Sequence, residues 1–197
     1  DFRPEFETGL LEEWDPELAA TRAGRSWVEY LWTTIPATPL FAREVSGARA
    51  VTFLDADLMF FSSPQPIFDE LGAHPLLLTP ARYPDAYPWL AHCGLYPTQF
   101  LPLVPHPDAE AAYAWWRERC IEHCSEEIEI AENRYADQKY LERWLEMYEG
   151  VHVLRHPGAG LAPWNMERHT ITRGAGETPV LVDGEPLIFF HYTRFRR

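Results

Sequence analysis

The sequence predicts an α/β sandwich built around a mixed sheet. Short apolar, β-favouring runs recur at 50–54, 75–79, 151–154, 180–182 and 187–190, and helical patterns lie between them at 108–124 and from 137 onward. Such alternation lets each helix cover a sheet face and permits crossovers. At 197 residues and 46% apolar composition the chain can bury one core, so a single main domain is expected. Sheets of this kind bind ligands where strands end at their carboxyl edge. The residues that close the apolar runs are therefore the first candidates for chemistry.

Residues 1–24 are acidic and weakly patterned, with a short helical stretch around Asp15 to Arg22, and are expected to be weakly structured; the folded domain is expected over 25–197. The chain starts at Asp1 rather than Met and without a leading strand, from which the natural protein is expected to extend further N-terminally. From Arg25, the pattern Trp27, Tyr30, Leu31, Thr34, Leu40 and Phe41 gives a helix interrupted by Pro36 and Pro39, since an internal proline removes a donor and clashes with the preceding turn. Ala50-Val51-Thr52-Phe53-Leu54 reads as a buried strand that stops at Asp55. Pro64 and Pro66 then break the chain before a helical turn or two at 67–71. Pro75 to Thr79 is the next strand, and a Pro- and aromatic-rich loop follows from Pro80 to Pro88. Residues 94–104 are extended. A helix then runs from about Asp108, its expected N-cap, to Cys124, with Ala112, Trp116, Cys120 and Cys124 on one face. A second helix starts near Asp137 and carries Tyr140, Leu141, Trp144 and Leu145, and three strands joined by Gly- and Pro-containing loops complete the chain.

A formal charge of -13 argues against nucleic acid as a partner, because phosphate backbones are held by clustered Lys and Arg. A nucleotide diphosphate is different, since a metal and one or two basic groups neutralise it locally. Basic residues gather at Arg22 with Arg25 and at Arg194, Arg196 and Arg197. Three cysteines, Cys93, Cys120 and Cys124, lack the density of a disulfide scaffold and point to a reducing cytoplasm. No apolar run reaches membrane-span length, so an integral membrane protein is not expected.

Asp55-Ala56-Asp57 places two carboxylates one residue apart at a strand end, where they can share one Mn²⁺ or Mg²⁺; the same pattern is common in acidic chains, and Asp often caps turns. His191 closes the run Leu187 to Phe190 and is either a third ligand or a hydrogen-bonded structural residue. Asp137-Gln138 is either a helix start or a carboxylate–amide pair for sugar hydroxyls. Cys120-x-x-x-Cys124 with His123 lacks a matching second pair for zinc and continues an apolar stripe. Gly158 to Asn165 reads as a flexible loop, of ordinary turn chemistry or contacting a sugar.

Together, Val51-Thr52-Phe53-Leu54-Asp55-Ala56-Asp57-Leu58, Phe60-Phe61-Ser62-Ser63-Pro64, Asp137-Gln138-Lys139-Tyr140-Leu141, Leu161-Ala162-Pro163-Trp164-Asn165 and Phe189-Phe190-His191 resemble bacterial glycosyltransferases of the GT-A fold related to glycogenin-like enzymes. The resemblance runs from about Arg25 to His191. It implies a GT-A-like α/β/α sandwich, a nucleotide-sugar donor, a carbohydrate, lipid or other small acceptor, and Mn²⁺ or Mg²⁺ on Asp55, Asp57 and His191. It further implies catalytic or sugar-pocket roles for Asp137 and Gln138, donor contacts from Arg25 and Asp55, a cleft lined by Trp164 and Asn165, and retention of anomeric configuration. Two departures stand out. Nothing before Arg25 supplies the strand-helix-strand unit that grips the nucleoside in that fold, and His191-Tyr192-Thr193-Arg194 lacks the Gly-containing continuation of glycogenin-like enzymes. Two other classes are open to the sequence. A haloacid-dehalogenase-like phosphatase also places Asp-x-Asp after an apolar strand, although Met59 stands where its Thr belongs; a non-catalytic nucleotide-sugar or carbohydrate-binding module is the other.

Overall fold

The computed structural model of the chain describes residues 5–176 and 179–193 and is mixed α/β; the basic cluster Arg194, Arg196 and Arg197 lies outside the described residues. The first difference from expectation is at the N-terminus. Residues 5–24 form α1 (Glu5–Trp14), α2 (Pro16–Ala20) and a 3₁₀ turn (Thr21–Gly24), with no strand among them. The cause is local chemistry at Asp15. Its carboxylate accepts the Leu18 N–H and caps α2, Pro16 takes the first helical position where its missing N–H costs nothing, and Arg117 grips both carboxylate oxygens. Leu11 and Leu18 then bury against Tyr30 and Ala37.

A capping box between Ser26 and Glu29 opens α3 (Trp27–Thr34), and α4 (Ala37–Ser46) resumes after Pro36. The chain therefore breaks at Pro36 as expected. Pro39 instead lies within the first turn of α4, where no intrahelical donor is lost.

β1 (Val51–Leu54) pairs antiparallel with β4 (Phe100–Leu103). It was expected to be buried, yet its residues are half-buried and Leu54 is exposed, since β4 is its one paired neighbour among the described residues. β2 (Leu58–Phe60) runs back to α5 (Gln65–Leu71), followed by β3 (Leu76–Leu78), which pairs parallel with β5 (Val151–Val153). β10 (Phe189–His191) lies between β2, antiparallel, and β6 (Ala159–Leu161), parallel. β7 (Ile171–Arg173), β8 (Val180–Val182) and β9 (Glu185–Pro186) form an antiparallel meander. Among the described residues the sheet expected as one unit is thus hydrogen-bonded as four short pieces.

Strand alternation divides the core. Leu76, Leu78, Leu101 and Leu103 face Ala112, Tyr113, Trp116 and Cys120 of α6 (Pro107–Glu122), while Leu77 and Phe100 face Ile67 and Leu71 of α5 with Phe189. β3 and β4 are therefore covered by helices on both faces. The N-cap of α6 is His106, whose ring accepts the Asp108 N–H, so Asp108 sits in the first turn instead of capping it; that turn favours its charge. Cys120 on α6 and Cys124 just past its end are unbridged, buried thiols, as the stripe predicts. Among the described residues no helix is long and apolar enough to cross a membrane.

Candidate metal centre and cleft

Two pairings bring the sequence-distant candidates together. The β1–β4 ladder ends with the Asp55 N–H donating to the Gln99 carbonyl at 3.2 Å, after which the chain turns at once into β2, the Leu58 N–H reaching back to Asp55 O at 3.3 Å. β2 pairs with β10 so that Leu58 stands opposite His191, and the Tyr192 N–H donates to Asp57 O at 2.9 Å. Asp55, in the turn between β1 and β2, and His191, at the end of β10, are thereby brought to one side.

His191 Nε2 lies 3.0 Å from Asp57 Oδ1 and 3.5 Å from Asp55 Oδ2, and the three residues offer ligand atoms within 4.8 Å of one another. Facing acceptors repel unless a proton or a cation sits between them. Burial, then the charges of Asp137 and Asp57, push the Asp55 carboxyl up to about 8, so without a cation it holds its proton at neutral pH. Burial also lowers His191, although Asp57 opposes that. Two hard oxygen donors and one imidazole suit Mn²⁺ or Mg²⁺.

The centre opens on a cleft of about 900 Å³ that Asp137, Gln138, Trp164, Tyr83, Tyr135 and Trp32 help to line. Asp137 is buried, and burial pushes its carboxyl up to about 7 despite nearby backbone N–H groups and the Thr98 hydroxyl. It makes no side-chain capping bond to the 3₁₀ turn that follows (Gln138–Arg143), which replaces the helix expected there and runs on into the short α7 (Trp144–Met147). Its Oδ2 has no hydrogen-bond partner. Gln138 donates its amide N–H to the Cys93 carbonyl, which leaves its Oε1 as an acceptor. Trp164 stands edge-on to the His191 ring at 5.3 Å and is tethered by Nε1 to Ala81 O.

Two expected site residues sit elsewhere. Arg25 donates to the Thr33 hydroxyl and the Ile121 carbonyl, tying α3 to the end of α6, and it does not line the cleft. Asn165 is fully buried: its Nδ2 donates to Ala81 O and Gly160 O while its Oδ1 accepts the Ala162 N–H. A side chain so committed and so buried holds a turn and does not line the cleft. The loop expected at 158–165 is in part the buried strand β6. Sequence reasoning missed Gln99, which touches both halves of the centre. Its one outward signal was a polar amide placed directly before the apolar run of β4.

A mixed α/β protein whose strand ends gather a candidate divalent-cation centre is the class these observations define. No protein-family model matches the chain. The chain is 36% identical over 188 residues to the uncharacterized protein YfnD of Bacillus subtilis (strain 168), which spans 94% of this chain and 60% of YfnD. It is 32% identical over 184 residues to the uncharacterized protein YfnF of the same organism, across 87% of this chain and 58% of YfnF. The chain thus spans about three fifths of the length of these curated relatives.

Proposed function

We propose that the chain carries the donor-sugar and metal site of a glycosyltransferase of the GT-A type, acting on a nucleotide-diphosphate sugar with Mn²⁺ or Mg²⁺ held by Asp55, Asp57 and His191. What supports this reading is one convergence: three ligand atoms within 4.8 Å of one another, drawn from strand ends far apart in sequence, beside a large cleft. When bound, the cation would offset charge on the departing diphosphate. The remaining roles fall to the protein's own groups. Asp137 Oδ2, buried and without a partner, and Gln138 Oε1 are acceptors for sugar hydroxyls. Trp164, with Tyr83 at 6.5 Å, gives the cleft an aromatic wall suited to the apolar face of a pyranose.

The reading is tested by incubating the protein with a panel of nucleotide-diphosphate sugars and candidate acceptors, with Mn²⁺ or with a chelator, and measuring nucleotide release. Metal-dependent turnover is expected, falling by roughly 100-fold or more in Asp57→Asn. Turnover that is indifferent to chelator and to that substitution sinks the reading. Cleavage of p-nitrophenyl phosphate in its place moves the site to the phosphatase class.

A further inference from the structure

We propose that Gln99 is the positioning residue of the metal centre: its side-chain carbonyl holds the proton of His191 on Nδ1 and so aims an unprotonated Nε2 at the cation. The inference rests on the metal-site reading above and adds to it the residue that sets the form of the imidazole.

Gln99 is fully buried, and its Oε1 lies 3.0 Å from His191 Nδ1. Its Nε2 is buried without a hydrogen-bond partner, so the bond to His191 is the one that the amide makes among the described residues. A carbonyl oxygen accepts and cannot donate; the nitrogen facing it carries the hydrogen, and the other ring nitrogen of a neutral imidazole keeps its lone pair. That second nitrogen is the one facing Asp57 Oδ1 and Asp55 Oδ2. The same residue also fixes the opposite ligand, because its backbone carbonyl accepts the Asp55 N–H. One residue thus sets Asp55 through its main chain and His191 through its side chain, the outer-shell role that metal-ligating histidines commonly have filled by a carboxylate or carbonyl.

Room for the amide comes from β6. Gly160 has φ +89, and a Cβ there would stand 2.8 Å from Gln99 Nε2 and 2.9 Å from Thr79 Cγ2. Trp164 meets the same imidazole edge-on, so Gln99 and Trp164 together limit how the ring can turn.

Two measurements on the full chain test this. With diamagnetic Mg²⁺ bound, nitrogen-detected NMR of the His191 ring at mildly alkaline pH should find the proton on Nδ1 and Nε2 unprotonated; a proton on Nε2 overturns the proposal without the need for any variant. Mn²⁺ titration followed by electron paramagnetic resonance should then show Gln99→Leu binding about 10- to 100-fold more weakly than wild type. Gln99→Glu, whose carboxyl keeps an oxygen that can accept from Nδ1 in either protonation state, should retain affinity near that of wild type. Equal Mn²⁺ affinity in wild type and Gln99→Leu, or equal losses in Gln99→Leu and Gln99→Glu, overturns the positioning role alone. A wild-type protein that binds no Mn²⁺ removes the metal reading, and this inference with it.

Discussion

Asp55 binds its proton more tightly in the folded chain than in the unfolded one, because burial and the carboxyls of Asp137 and Asp57 push it up to about 8 from an ordinary 3.8. The sign of the consequence is fixed by linkage. Stability from a raised carboxyl is fully present below the unfolded value and is lost as pH climbs through the folded one. Asp137, raised to about 7 mainly by burial, adds to the same slope. The metal-free protein is therefore expected to lose stability as pH climbs from the ordinary carboxyl value of 3.8 to the folded value of about 8. Asp55→Asn, which keeps the shape and removes the charge, should be the more stable protein near the upper end, by on the order of 1–3 kcal/mol, and the two should converge at the lower end. Urea denaturation across that range measures both; parallel curves for wild type and Asp55→Asn would show that Asp55 ionises freely in the fold. A bound divalent cation should flatten the wild-type slope, since it binds the ionised, folded form alone.

At the scale of elements, legibility followed length and period. The sixteen residues of α6 carry enough repeats to show their inner face, and Ala112, Trp116 and Cys120 are buried there. β1 and β10 were readable because each is an apolar run that stops at a ligand type, Asp55 or His191. At the N-terminus the helical stretch from Asp15 was readable from its local pattern and α1 was not, while the tie from Asp15 to Arg117, across about a hundred residues, is one that no local pattern announces. β6 was missed for a related reason. Its glycines read as flexibility, whereas Gly158 is a point of close backbone approach: its carbonyl accepts the Ile188 N–H at 2.7 Å, and a Cβ on it would lie 1.9 Å from Pro186 O. Neither backbone can yield without breaking that bond. Gly158→Ala should therefore cost about 3 kcal/mol or more, far beyond an ordinary surface glycine, by the overpacking mechanism. Gly176 has open space around it, but its φ of +60 makes it a poor control; Gly24, with nothing within 4 Å and no such φ, is the better one. Equal denaturation midpoints for Gly158→Ala and Gly24→Ala would mean that β6 is free to move away from the Pro186 segment.

Across the whole molecule, a net charge of -13 meets a cleft whose lining holds Asp55, Asp57 and Asp137 and, among the described residues, no Lys or Arg. Arg25, the basic residue expected to reach a donor, is held by Thr33 and Ile121 instead. Among the described residues of the lining, a diphosphate would meet the carboxyls of Asp55, Asp57 and Asp137 and no cationic side chain, and each of those carboxyls that ionises beside it adds like-charge repulsion. A divalent ion is the largest local charge such a site can hold and reverses its sign, so affinity for a nucleoside diphosphate is expected to come through one. Calorimetric titration of UDP and GDP, as probes of the shared diphosphate, should give measurable binding with Mn²⁺ and a loss of at least about 100-fold with chelator, a coupling of roughly 3 kcal/mol. Because such coupling is reciprocal, the nucleotide should tighten Mn²⁺ binding by the same factor. His191→Ala removes a ligand at the cleft without adding charge, and it should weaken both bindings together while the fold persists. Nucleotide binding of equal strength with Mn²⁺ and with chelator would show that the diphosphate, if it binds here at all, is held by groups other than this centre.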